Sequence, residues 1–122
     1  MKPLSLGVDI EEVARFKKLA GNQRFMRRVF TPEEIRYCSA KKKSAQHFAV
    51  RFAAKEAVWK ALSPEIRKSR ASVGHRDIGV TNDATGKPAV VLPASLKRFR
   101  NRVTLSLSHT EAYAVAVALV AG

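Results

Sequence analysis

The sequence predicts an α+β fold in which a mainly antiparallel sheet packs on one long central helix. Three observations support this prediction. Residues 4–10 alternate between apolar and polar side chains, as in a half-buried strand. Residues 45–62 contain strong helix formers and neither Gly nor Pro. Residues 78–120 contain two pairs of short apolar runs, each pair separated by turn-forming residues.

The first strand is expected to turn its apolar side towards the core, and that side consists of Leu4, Leu6, Val8 and Ile10. Asp9 then faces away from this apolar set. Glu11 and Glu12 are predicted to open the first helix, and Gly21 is its stop signal.

Two further short helices precede the central one. Residues 23–30 form a basic helical segment. Thr31 is predicted to cap the next helix, because Pro32 occupies the first helical position and Glu34 follows three residues after the cap. This third helix is expected to end near Cys38.

The central helix, residues 45–62, follows a lysine-rich hinge and has Ser44 as its predicted cap. On a helical wheel Glu56 lies in the middle of an apolar face, within roughly 60° of Ala45, Ala49, Phe52, Ala53 and Trp59. Residues 63–76 contain Pro64, Gly74 and mixed charges, which predicts a loop.

Two hairpins and a brief basic helix complete the prediction. Strands at 78–81 and 89–92 are joined by a turn-rich connection, and a second hairpin spans residues 103–120. The basic helix lies between them, at 93–100. Without an internal repeat or a linker, residues 1–122 are predicted to form a single domain.

The composition indicates an anionic partner. The 122 residues include 23 Lys and Arg against 10 Asp and Glu, a net charge of +13, and residues 13–70 alone carry +12. A hydrophobic content of 46% excludes a wholly disordered chain. The longest apolar run is about half the length of a membrane helix. The acidic N-terminal region argues against a signal peptide, and the single cysteine, Cys38, fits a cytoplasmic location.

Asp9 and Glu56 are candidate ligands for a divalent cation. A carboxylate on an apolar helix face is costly unless a cation compensates it, although a salt bridge with Lys60, four residues on, would also serve. Asp9 alone is equally consistent with a helix cap. If the first strand runs along the central helix, both could bind one Mg²⁺, which takes one or two carboxylates with water and phosphate oxygens.

Arg51, Lys55 and Lys60 lie on the same helix as Glu56. A solvated rim would explain all three, and this interpretation suits Lys55 best. Lys60 lies beside Glu56, where a polyphosphate neighbour is at least as good an explanation.

His109 is a candidate phosphate contact, because the hydroxyls of Ser106 and Ser108 and the amides of the next turn could join it as donors. His47 and His75 are interpreted as hydrogen-bonded structural residues.

Five short motifs, taken in order, strongly resemble the holo-acyl-carrier-protein synthase family, the small bacterial 4′-phosphopantetheinyl transferases. The resemblance covers nearly the whole chain. It is carried by residues 7–10 (GVDI), 30–35 (FTPEEI), 51–57 (RFAAKEA) with 60–61 (KA), 86–88 (GKP) and 105–109 (LSLSH).

The resemblance implies a Mg²⁺-dependent transfer of 4′-phosphopantetheine from coenzyme A to a serine of apo acyl carrier protein, in support of fatty acid biosynthesis. By this resemblance Asp9 and Glu56 bind Mg²⁺ and act in catalysis with Lys60, which contacts the diphosphate. The coenzyme A site is lined by Arg51, Lys60, Lys87, Pro88, Ser108 and His109. The general base is either Glu56 or a metal-bound water. The family also implies a homotrimer with its sites between subunits.

Acyl carrier proteins are acidic, so the resemblance gives the basic helices a docking role. The expected docking residues are Arg15, Lys18, Arg24, Arg27 and Arg28. The chain departs from the family after the central helix, where residues 63–73 lack the usual glycine.

A small basic nucleic-acid-binding module is the alternative function, and a pseudo-enzyme that holds coenzyme A without transfer is a third hypothesis. Nucleic-acid stacking needs exposed aromatic residues among the basic ones. Since the aromatic residues here fall on apolar faces, we expect a protein partner, and neither nucleic acid nor a membrane. These residues are Phe16, Phe25, Phe48, Phe52 and Trp59.

Overall fold

The computed structural model describes residues 3–122, with side chains from residue 5 onward. Its elements are β1 (Pro3–Glu12), α1 (Val13–Leu19), α2 (Gln23–Val29), α3 (Pro32–Ser39), α4 (Ser44–Ser69), β2 (Gly79–Asn82), β3 (Pro88–Val91), β4 (Val103–His109) and β5 (Tyr113–Ala121), with 3-10 turns at His75–Asp77 and Ala94–Phe99. None of the helices in this part of the chain is long and apolar enough to cross a membrane.

Three antiparallel strands form the main sheet in the order β1-β5-β4, and β2 and β3 form a separate antiparallel hairpin. The long helix α4 lies across β1 and β5. Alanines allow this close packing, because Ala57 on α4 and Ala116 and Ala118 on β5 are completely buried. The predicted α+β class, the central helix and both hairpins are therefore confirmed, but Ser44 is the first residue of this helix and not its cap.

The predicted sidedness of β1 was wrong. Leu6, Val8 and Ile10 are exposed by 63%, 56% and 63%, whereas Gly7 is buried against α4. A Cβ at position 7 would lie 2.0 Å from the carbonyl oxygen of Ala57, so only glycine lets the strand come this close to the helix. Gly7 therefore fixes which side of β1 meets α4. The side chain of Leu4, also assigned to the core, lies outside the described residues.

The start of α1 also differs from the prediction. Glu11 and Glu12 remain in β1, paired with Ala114 and Tyr113 of β5, and the helix begins at Val13. The third helix begins as predicted. Thr31 Oγ1 accepts the Glu34 N–H at 3.2 Å, and Glu34 Oε1 accepts the Thr31 N–H at 2.8 Å, which forms a complete capping box.

The central helix continues past Pro64, so the loop predicted for residues 63–76 was wrong over its first half. Proline cannot donate to the Lys60 carbonyl, one turn earlier. The hydroxyl of Ser63 donates to that oxygen instead, at 3.0 Å. The helix ends at Ser69, where Arg70 adopts a left-handed conformation (φ 57°).

Two turns shape the remainder of the chain. In the β2–β3 connection, Asp83 Oδ1 accepts the backbone N–H groups of Thr85 and Lys87 at 2.8 and 3.0 Å, and Gly86 has a φ of 87° that favours glycine. The basic segment predicted as a helix at 93–100 is a 3-10 turn.

Candidate active site

Asp9 projects from β1 onto α4 and meets Lys60. Lys60 Nζ donates to Asp9 Oδ1 at 3.2 Å and to the Val8 carbonyl at 3.3 Å. The Asp9 side chain is only 10% exposed. Its Oδ2 is buried and has no permanent hydrogen-bond donor within residues 3–122, whereas the Glu11 carboxyl can donate to Asp9 when it is protonated. A buried carboxylate oxygen needs compensation, which either a protonated Glu11 or a bound cation would provide.

Glu11 is a second acidic residue on the same side of β1. Burial raises the pKa of its carboxyl to about 7, and the neighbouring Asp9 adds to this rise, whereas Arg15 opposes it. Arg15 Nη1 donates to Glu11 Oε1 at 2.8 Å. The sequence reasoning missed Glu11 because it assigned this residue to a helix. The period-two series of Gly7, Asp9 and Glu11 was the signal that could have found it.

Glu56 does not pair with Lys60, the partner that its spacing suggested. Its Oε2 accepts a hydrogen bond from His75 Nε2, and its side chain is 23% exposed. Lys60 lies four residues further along α4, a rise of about 6 Å on the same side of the helix. Asp9, Glu56 and Lys60 therefore lie around one stretch of the α4 surface. No group of three or more His, Cys, Asp or Glu side chains in the described chain could hold a metal ion.

Lys55 is completely buried, so its interpretation as a solvated rim residue was wrong. Its Nζ lies 2.8 Å from Glu34 Oε1 and donates to the carbonyls of His75 and Ile78 at 3.0 and 2.6 Å. Burial lowers the pKa of Lys55, and Glu34 opposes this effect. The second Glu34 oxygen accepts the Val80 N–H at 2.8 Å. This ion pair ties α3, α4 and the β2 segment together.

Arg51 is also buried rather than part of a solvated rim. Its guanidinium donates to the Val80 carbonyl and, at 2.8 Å, to Asn82 Oδ1, and it lies 4.5 Å from the centre of the Tyr37 ring. These contacts hold the β2–β3 hairpin on α4. Arg51 is thus a structural residue of the site wall.

A cleft of about 200 Å³ lies beside Arg51. Its lining includes Arg51, Pro88 and His109, three of the residues predicted to bind coenzyme A. His47 also lines it, and burial, with Lys41, His109 and Arg51, lowers the pKa of this histidine. The cleft therefore has cationic surroundings. Lys60 lies nine residues along α4 from Arg51, about 14 Å away.

Lys87 and Ser108 are exposed and do not line this cleft. Lys87 ends the turn before β3, and Ser108 lies on β4 next to His109. Lys87 precedes Pro88 and Ser108 precedes His109, and both of these neighbours line the cleft. The contacts of Lys87 and Ser108 with coenzyme A stay predictions.

The predicted docking residues lie on two adjacent helices. All five are exposed on α1 and α2, where they are Arg15, Lys18, Arg24, Arg27 and Arg28. Aromatic rings of this region pack inward. Phe16 and Phe52 are buried with their ring centres 5.3 Å apart, and Phe25 is half-buried against both. In the described helices α1 and α2, the basic surface therefore has no exposed aromatic ring on which a nucleic-acid base could stack.

The other face of the sheet is apolar and exposed on β1 and β5. Leu6 lies opposite Leu119, and Val8 lies opposite Val117, on neighbouring strands. Leu119 and Val117 are exposed by 40% and 37%, and Tyr113 at the end of β5 by 50%. We call these residues, with Ile10, the apolar sheet face. Such a continuous apolar surface is typical of an interface.

Comparison with known proteins gives a consistent result. Residues 5–118 match the family model of the 4′-phosphopantetheinyl transferase superfamily. The chain is 44% identical over 121 residues to the holo-[acyl-carrier-protein] synthase of Geobacter sp. (strain M21), covering 93% of this chain and 94% of that protein. The crystal structure of holo-[acyl-carrier-protein] synthase from Neisseria meningitidis matches with a TM-score of 0.80 and 30% identity, over 99% and 100% of the two chains. That of the Bacillus anthracis str. Ames enzyme in complex with CoA (3′,5′-ADP) matches with a TM-score of 0.75 and 32% identity, over 97% and 96%.

Proposed function

The chain belongs to the 4′-phosphopantetheinyl transferase superfamily, and from this premise we propose that it is a holo-acyl-carrier-protein synthase. It transfers the 4′-phosphopantetheine arm of coenzyme A to a serine of apo acyl carrier protein, releases adenosine 3′,5′-bisphosphate and so supports fatty acid synthesis. The observation that carries this proposal is the buried Asp9 carboxylate beside Lys60.

Asp9 and Glu56 are the residues that would hold a Mg²⁺ ion. The buried Asp9 Oδ2 has no permanent donor within the described chain, which supports a role as a cation ligand. Mg²⁺ usually takes one or two carboxylates and completes its shell with water and phosphate oxygens. When bound, Mg²⁺ would neutralise charge on the diphosphate.

Lys60 supplies positive charge to the departing bisphosphate. Its side chain is 46% exposed, so the ammonium can leave Asp9 and reach a phosphate oxygen. The serine oxygen attacks the phosphorus that bears the pantetheine arm, and the bond to the bridging diphosphate oxygen breaks. The serine hydroxyl must lose a proton, for which Glu56 is the candidate acceptor among this chain's residues.

Coenzyme A binds along α4, with its nucleotide end in the cleft of Arg51, Pro88 and His109. The cleft's cationic surroundings support this assignment, because that end carries a phosphate besides the diphosphate. The separation of about 14 Å between Arg51 and Lys60 suits an extended ligand that joins both regions. Lys87 and Ser108 contribute from the rim.

The acidic carrier protein docks on the exposed basic residues of α1 and α2. Complementary charge of this kind mainly raises the association rate and weakens with salt. Arg15 connects this surface to Glu11, the neighbour of Asp9.

The protein acts as a homotrimer with sites between subunits, and the apolar sheet face supports this assembly. Leaving such a face in water is unfavourable, and a second copy of the chain presents a surface that can cover it. A cytoplasmic location completes the proposal, and the buried free thiol of Cys38 is compatible with it.

The decisive experiment measures the mass of apo acyl carrier protein after incubation with the protein, coenzyme A and Mg²⁺. We expect the carrier to gain the mass of the arm. Asp9→Asn and Glu56→Gln should each reduce transfer by at least about 100-fold, since each removes a charge needed at the reacting diphosphate. Glu33→Gln, which alters an exposed carboxylate on α3, is the matched control. A wild-type protein that adds no mass to any tested carrier would refute the assignment.

A further inference from the structure

His75 contacts Glu56, yet the function described above gives it no role. We propose that His75 is a positioning residue, which orients the Glu56 carboxylate for metal binding by donating from Nε2 to Oε2. This inference rests on the proposed function, because it assumes that Glu56 is a metal ligand.

The hydrogen bond leaves the other Glu56 oxygen available. Within the described chain Oε2 accepts from His75, and Oε1 has no hydrogen bond. The two side chains are 33% and 23% exposed, so water only partly competes for the contact. A carboxylate that is bonded through one oxygen keeps a fixed direction for the other, and such outer partners commonly tune metal affinity.

The histidine ring is itself held from several sides. It stacks on Phe52 with ring centres 5.4 Å apart and planes at 14°. Its backbone carbonyl accepts from buried Lys55 Nζ at 3.0 Å, and Lys55 is anchored by Glu34. Asp77 Oδ2 accepts the Gly74 N–H at 2.9 Å and so closes the 3-10 turn that carries His75. The turn therefore delivers the ring to Glu56 in a defined orientation.

A purely structural role for the ring predicts a different outcome from a positioning role. His75→Phe keeps an aromatic ring that can stack on Phe52, but it removes the donor. His75→Gln keeps an N–H donor and removes the ring. If the ring only packs, Phe is the better replacement; if it positions Glu56, Gln is the better one. Ser72→Ala changes an exposed residue of the preceding loop and is the matched control.

The experiment measures Mn²⁺ binding in the presence of coenzyme A, from the electron paramagnetic resonance signal of free Mn²⁺. We expect His75→Phe to weaken Mn²⁺ binding by about 10- to 100-fold. His75→Gln should retain most of the affinity, and Ser72→Ala all of it. In the transfer assay, His75→Phe should lower kcat without raising the KM for carrier protein. Thermal unfolding of each variant verifies that the chain is folded.

The possible results distinguish a failure of this inference from a failure of the proposed function on which it rests. If wild type binds Mn²⁺ and transfers the arm, but His75→Phe binds Mn²⁺ equally well, the positioning role is refuted. Tighter binding by His75→Phe than by His75→Gln refutes it as well. A wild-type protein that neither binds Mn²⁺ nor transfers the arm refutes the proposed metal site and function.

Discussion

Replacing Gly7 by alanine tests the fit between β1 and α4 that places Asp9. The new Cβ would lie 2.0 Å from the Ala57 carbonyl oxygen and 2.9 Å from the Ala61 nitrogen. Both are backbone atoms of the long helix, so neither can rotate away. The backbone at Gly7 is not left-handed, and the obstacle is therefore purely steric. The new Cβ must move by about 1.4 Å, from 2.0 to at least 3.4 Å, to restore ordinary contact, so the strand must shift away from the helix.

Such overpacking costs about 1–3 kcal/mol. In a chain of this size 1 kcal/mol corresponds to about 4 °C in Tm, so we expect Gly7→Ala to melt about 4–12 °C below wild type. Asp9 lies two residues further on the same face and moves with the strand, away from Lys60. A displacement of about 1 Å at a reacting centre reduces turnover by about 100-fold.

Gly21→Ala is the matched control, because the nearest atom to its new Cβ is the Lys18 carbonyl oxygen at an ordinary 3.6 Å. This variant should be as stable as wild type or more stable, by up to about 1 kcal/mol. Circular dichroism melts and the carrier mass assay provide the two measurements. Equal melting temperatures for Gly7→Ala and Gly21→Ala would refute the steric argument. Unchanged transfer in Gly7→Ala would mean that the position of β1 does not affect catalysis.

Three further predictions follow from the buried ion pair, the basic surface and the apolar sheet face. Lys55→Met should lower the free energy of unfolding, measured with urea, by about 3–5 kcal/mol, because it leaves the buried Glu34 carboxylate without its cation. Lys55→Met combined with Glu34→Gln should lower it by less than the sum of the two single changes. Reversing Arg27 and Arg28 to Glu should raise the KM for carrier protein at low salt, with a smaller effect at high salt. Ile10→Asp should convert the proposed trimer to smaller species in light scattering.

Each of these predictions has its own contrary outcome. Additive costs for Lys55 and Glu34 would mean that the two charges do not interact. Reversal of Arg100, an exposed residue outside α1 and α2, should leave the KM unchanged, and an equal effect there would indicate a general charge effect instead of docking. Val91→Asp introduces the same charge on the separate hairpin; dissociation by both variants would remove the argument for the apolar sheet face.

Local chemistry made much of the fold predictable. The capping box at Thr31 and the turn at Gly86 depend on neighbours within a few residues, so the sequence contains their full signal. The continuation of α4 through Pro64 was missed, because it needs one specific side-chain contact, from Ser63 to the Lys60 carbonyl.

The rest depends on contacts between distant parts of the chain. Periodicity identified two faces of β1, but it could not tell that the apolar one would face outward. Glu34, the partner of Lys55, lies 21 residues earlier, and spacing along the helix gives no indication of it. Asp9 and Lys60 were named as candidates from their motifs, but their contact requires β1 to lie along α4, which is a tertiary property.

The seam between α4 and the sheet also limits mutational tolerance. Gly7, Ala57, Ala116 and Ala118 meet there almost without side chains, so nearly every substitution can only add atoms. Efforts to raise stability by design should leave these positions unchanged. Ser72, an exposed residue in the loop after α4, is a freer position for a charge substitution.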